Sequence, residues 1–104
     1  MTTVTLFKSE GNLTGFMCKG HSGFARAGKD IVCAAVSVLS TTCANALESV
    51  AGVVPEIAVD DGYMKVVLPV GCDNHDAQVI LRTFEQGMRD IEASYPKYIQ
   101  ITTR

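Results

Sequence analysis

"DIVCAAVSVLSTTCANALESVAG", residues 30 to 52, decides the fold. It opens on Asp30, a residue type whose side chain caps helix N-termini, contains neither Gly nor Pro from 31 to 50, and ends at Gly52, a natural helix stop. The spacing predicts one long helix with Ile31 as its first residue. Ile31, Val32, Ala35, Val36, Val38, Leu39, Ala46, Leu47 and Val50 spread apolar groups around more of its girth than one sheet face covers. Such a helix calls for a second burying surface, which we expect to be a partner subunit.

Outward from the helix, the pattern changes period. "TVTLFK" and "NLTGFMCKG" alternate as strands do, with Ser9-Glu10-Gly11-Asn12 as a hairpin turn between them. On the other side, "PEIAVDDGYMKVVLP" reads as a second hairpin, because Asp61-Gly62 tolerates the positive φ of a tight turn. From the N-cap candidate Asn74, the residues Ala77, Ile80, Leu81, Phe84, Met88, Ile91 and Tyr95 recur at three- and four-residue steps, an amphipathic helix that Pro96 ends. "KYIQITT" closes the chain as a strand with Ile99 and Ile101 on one face. The order is ββαββαβ. We therefore expect a single α+β domain over residues 1–104, with a mixed or antiparallel sheet packed against two helices.

Composition excludes several functions. The 104 residues are 47% hydrophobic and carry a formal charge of −2 without a Lys/Arg cluster, so nothing attracts nucleic acid. No run of about 18 uninterrupted apolar residues is present, and "TVTLF" near Met1 lacks the basic-then-apolar pattern of a secretion signal. We expect neither a membrane span nor secretion. Cys18, Cys33, Cys43 and Cys72 are far apart and form no CxxC pair, which speaks against a metal ribbon or a disulfide scaffold and for reduced thiols in a cytoplasm. No cofactor is implied.

"GFARAGKD", residues 23 to 30, has the glycine and lysine spacing of a phosphate-binding loop, but Asp30 stands where that loop needs a hydroxyl for Mg²⁺. The glycines instead separate His21 from Cys33. With Asp30 as N-cap, Cys33 is the third helical residue, in the turn where free amides and the macrodipole favour a thiolate. Asp30's charge opposes that ionisation, and a neighbouring imidazolium would offset it. Gly23 and Gly28 let the chain double back from His21, and Cys and His within hydrogen-bond reach make a nucleophile and its base. The ordinary reading of a helical cysteine is a small core residue, and Cys18 and Cys43 are assigned to it. Cys72 lacks an upstream His-containing loop, and His75 reads as a surface residue on the first turn of the second helix. Ser37 falls one turn after Cys33 on the same face, where it bonds back to the helix or lines the site.

"GHSGFARAGKDIVCAAVS", residues 20 to 37, closely resembles the signature of the ribosomal-processing cysteine protease family, and the element order resembles that family's fold over nearly the whole chain. Gly20, His21, Asp30, Cys33 and Ser37 occupy matching positions. The resemblance implies a Cys33/His21 dyad, a mobile substrate loop at about residues 22–29 carrying Ser22, Gly23, Phe24 and Gly28, and a homodimer. It also implies the substrate: a ribosomal protein precursor, number twenty-seven of the large-subunit L series, that loses its N-terminal extension after a phenylalanine pair. Asp30 is expected to be a structural cap, with orientation of His21 as the alternative. Ser22 stands where alanine is frequent and is expected not to touch the dyad. We expect the loop to be open or disordered without substrate, with Phe24 its one large apolar anchor. Two other readings remain: a dimeric ribosome-associated binding module with a buried Cys33, and a thiol redox sensor that cuts no peptide.

Overall fold

The computed structural model describes residues 1–26 and 30–104. Its elements are β1 (Thr2–Ser9), β2 (Asn12–Lys19), α1 (Ile31–Ser49), β3 (Glu56–Asp60), β4 (Tyr63–Val67), α2 (His75–Ser94) and β5 (Ile99–Thr103). The expected ββαββαβ order is the observed one. The sheet order is β3-β4-β2-β1-β5, antiparallel throughout except that β5 runs parallel to β1, so the sheet is mixed.

Each hairpin turns where its residue types allow. Glu10 and Gly11 both have positive φ (53° and 83°), the twist that matches two antiparallel strands. Asp61 and Gly62 turn the second hairpin, with Gly62 at φ 63°. Along each strand alternate side chains point to one face. Val4 and Leu6 of β1, Phe16 and Cys18 of β2, Val66 of β4 and Ile99 of β5 are buried in one cluster with Val36, Cys43 and Leu47 of α1 and Ala77, Leu81, Phe84 and Met88 of α2. Both helices thus pack on the same face. At its centre Phe16 stacks on Phe84, ring centroids 4.0 Å apart. Among the outward-alternating residues, the Thr5 and Thr102 hydroxyls share a 3.1 Å hydrogen bond.

A single side chain docks α2 at the end of the sheet remote from the start of α1. The Gln78 amide accepts from the Leu13 N–H (2.8 Å) and donates to the Leu13 carbonyl (2.7 Å), satisfying both backbone groups where the β1–β2 register shifts. At the near end lie the starts of β1, β4 and β5, the ends of β2 and β3, and the first turn of α1. The site is built there.

By length and composition α1 is apolar enough to cross a membrane. In the fold it is a core helix, with Val32, Val36, Ser40, Cys43, Ala44 and Leu47 buried. Its surplus apolar girth remains outside: Ile31, Val38 and Val50 are more than half exposed.

Removing the central ring tests this packing. Phe84→Ala is expected to cost about 3–5 kcal/mol through lost transfer energy and an unfilled cavity, read as a lower midpoint in urea unfolding.

Candidate active site

Asp30 organises the entrance to α1. It is the N-cap, with extended backbone (φ −86°, ψ 99°), and its Oδ1 accepts from the Cys33 N–H at 2.9 Å. That bond satisfies one orphan amide and fixes Cys33 in the first turn. The other carboxylate oxygen accepts a short hydrogen bond from the Ser22 hydroxyl. The Ser22 hydroxyl beside it, with the backbone amides of Cys33 and Ala25, holds the Asp30 carboxyl down at about 2, against an opposing desolvation effect. Asp30 is therefore an anion whose bonds run to the helix start and to the loop.

Ser22 departs from the sequence expectation. It touches Cys33: its backbone N–H donates to Cys33 Sγ at 3.4 Å, and the Cys33 thiol donates to its Oγ at 3.6 Å. Its side chain is 2% exposed, and its hydroxyl also accepts from the Phe24 N–H. With one proton to give, the hydroxyl gives it to Asp30 and presents a lone pair to the thiol. No motif in the sequence announces this, because the contact joins residues eleven apart across the glycine-rich loop.

His21 lies just past β2, exposed, beside the turn between β3 and β4. Gly20 before it has φ 92°, donates its N–H to the Gly62 carbonyl at 2.8 Å, and has its own Cα so near Met1 that a Cβ would come 2.7 Å from the Met1 carbonyl oxygen. Gly20 thus turns the chain out of the sheet in a space no other residue fits. The structure brings His21, Cys33 and Ser37 together as a shared wall between two clefts. One, about 360 Å³, is lined further by Cys18, Gly62 and Tyr63. The other, about 560 Å³, is lined further by Gly23, Ala25 and Asp30.

The described part of the loop is tied down at two points. Besides the Ser22 bonds, Phe24 meets Tyr95 and Tyr98 edge-on, with centroids 5.6 and 5.2 Å away. Residues 22–26 are thus anchored by hydrogen bonds as well as by Phe24. Gly23 has φ 74°, as a turning residue needs. The expected hinge at Gly28 lies outside the described residues.

The other cysteines have ordinary places. Cys18 and Cys43 are buried, and burial raises both thiols, Cys43 to about 12. Cys33 and Cys72 are half-buried. His75 is exposed on the first turn of α2. Among the described residues no three His, Cys, Asp or Glu side chains cluster as metal ligands.

Against known proteins, the family model described as cysteine protease Prp matches residues 1–100. The ribosomal processing cysteine protease Prp of Staphylococcus aureus strain NCTC 8325 is 32% identical over 103 residues, 97% of either chain. The Bacillus subtilis strain 168 protein of the same name is 30% identical over 96 residues, covering 88% of this chain and 86% of that one. In structure, S. aureus Prp in complex with a covalently linked product peptide superposes with a TM-score of 0.93 at 31% identity over the whole of both chains. The same protein with a substrate peptide gives 0.87 at 30% identity, again over both whole chains.

Two outcomes test the geometry. Near pH 8, alkylation followed by peptide mapping is expected to modify Cys33 first and Cys18 and Cys43 slower by about tenfold or more, since only thiolates react and burial keeps those two protonated. Asp30's depressed carboxyl contributes stability that is fully present above the unfolded value of about 3.9 and is lost as pH falls through about 2. The gap in melting temperature between wild type and Asp30→Asn is therefore expected to be constant from pH 5 to 7 and to close between about pH 4 and 2.

Proposed function

This chain belongs to the Prp family of cysteine proteases, and we propose that it removes the N-terminal extension of large-subunit ribosomal protein twenty-seven of the L series, cutting after an aromatic pair. The observation that carries the reading is the shared wall of His21, Cys33 and Ser37 between two clefts, with Cys33 on the first turn of α1. An extended peptide crossing that wall has residues on either side of its scissile bond in separate clefts. The relatives solved with a substrate peptide and a covalently linked product peptide support a peptide substrate.

In the proposed reaction Cys33 gives its proton to His21, and Sγ attacks the scissile carbonyl. His21 returns the proton to the leaving amine, a thioester remains, and water hydrolyses it with His21 again as base. The first turn of α1 points its amides and positive dipole end toward the negative charge that develops. The Cys33 amide is already held by Asp30 Oδ1, which removes it as an oxyanion donor and leaves the role to neighbouring amides. Asp30 acts as the cap that places the nucleophile. Ser37, exposed one turn after Cys33, faces both clefts.

The functional unit is a homodimer through α1, whose exposed Ile31, Val38 and Val50 are the surface a second copy would cover. We place the protein in the cytoplasm, where four unpaired cysteines persist and ribosomal precursors are made.

The test is cleavage of a peptide spanning the extension and the bond after its aromatic pair, with products identified by mass spectrometry. Wild type is expected to cut once at that bond. Cys33→Ala should lose at least about 10³-fold and His21→Ala about 10²- to 10⁴-fold in kcat. Cutting by Cys33→Ala would remove the nucleophile assignment, and an uncut peptide with a fully reactive Cys33 would remove the substrate assignment.

A further inference from the structure

The His21 ring lies against the turn between β3 and β4, forty-one residues away in sequence. A Cβ built on Gly62 would lie 2.9 Å from His21 Nε2, 3.3 Å from Cε1 and 3.5 Å from Cδ2. The imidazole therefore rests against the bare Cα of Gly62, closer than any side chain at that position permits. The same turn grips the backbone next door: the Gly20 N–H donates to the Gly62 carbonyl at 2.8 Å, one residue before His21 and beyond the last ladder pair, Lys19 with Tyr63. Asp30, the carboxylate that would ordinarily orient a catalytic histidine, is bonded to Ser22 and Cys33 instead.

We propose that Gly62 is a positioning residue for the protease reaction: the β3–β4 turn is the seat that holds the His21 imidazole at its working place beside Cys33. This rests on the reading of His21 as the general base. Two physical facts join at one glycine. The turn needs a residue at φ 63°, which Asn also tolerates. The ring needs the absence of a Cβ, which only Gly supplies. An exposed ring with no such wall rotates freely about its side-chain bonds. General-base transfer requires a heavy-atom separation of about 2.6–3.2 Å, and a misplacement of about 1 Å costs on the order of 10²-fold. The β3–β4 hairpin is in this way part of the catalytic geometry.

Gly11, in the turn between β1 and β2, supplies the control. It has φ 83° and nothing within 4 Å of a built Cβ, so a side chain there meets the backbone strain of Gly62 without touching the histidine. Peptide cleavage would be compared for wild type, Gly62→Ala, Gly62→Asn, Gly11→Ala, Gly11→Asn and His21→Ala, with melting temperatures and proton NMR. The expected result is a loss of about 10- to 100-fold in kcat for both Gly62 variants. The Gly11 variants should stay within about twofold of wild type at comparable melting temperatures, because strain alone does not move the ring. Asn keeps the experiment decisive where Ala at a positive φ fails to fold. In wild type the Gly62 Hα resonances should carry the ring-current shift of an adjacent imidazole and lose it in His21→Ala, a signature that a merely stabilising turn lacks. Gly62 variants with kcat within twofold of wild type, equal losses at Gly11 and Gly62, or no ring-current shift would overturn the seat. A fully active His21→Ala would instead overturn the general-base reading beneath it, which separates the two failures.

Discussion

One carboxylate holds the reactive end of this protein together. Asp30 accepts from the Cys33 amide on one oxygen and from the Ser22 hydroxyl on the other, and so joins the first turn of α1 to the residue that follows His21. Capping and loop closure are usually separate devices. Here they share a side chain, so the event that starts the helix also brings the Ser22 amide against Cys33 Sγ. The chemistry of a thiol nucleophile depends on what surrounds the sulfur, and in this fold those surroundings are assembled by a single buttressed anion.

The one-sided core explains why the site sits at an end of the sheet. Both helices cover the same face, α1 begins where β2 ends, and the parallel entry of β5 beside β1 returns the chain to that same end. Six element termini thus converge there, and each leaves backbone groups or glycines where a regular strand would have none. Gly20 and Gly62 belong to different hairpins, yet their backbones bond directly. Loops on a rigid scaffold can hold reactive groups at fixed separations only if something crosses between them. Here the cross-ties are the Gly20–Gly62 bond, the Ser22–Asp30 bond, and the packing of Phe24 on Tyr95 and Tyr98.

The element order, both hairpin turns, both N-caps and the core roles of Cys18 and Cys43 were legible in the sequence because each is governed by neighbours a few residues away. The placement of Cys33 in the first helical turn followed from Asp30 by the same local rule. The role of Ser22 was not legible. A serine in a glycine-rich loop looks like solvent-facing punctuation, and only the folding back of the loop onto α1 buries it to 2% exposure against sulfur and carboxylate. The engagement of the Cys33 amide by Asp30 was implicit in the cap, although its consequence for the oxyanion donors emerges only when that bond is counted against the amides available.

What the sequence determined by itself is the set of elements, their ends and the reactive residue types, since periodicity, caps and tight turns act through contacts within a turn or a strand. What the tertiary structure alone decided is which of those ends meet: β5 parallel to β1, Tyr95 and Tyr98 beneath Phe24, and the Gly62 turn against the His21 ring. Those meetings join residues from about forty to nearly a hundred positions apart. Their loop-closure entropy is offset only when the whole face of the sheet is buried at once, so no local stretch of sequence encodes them.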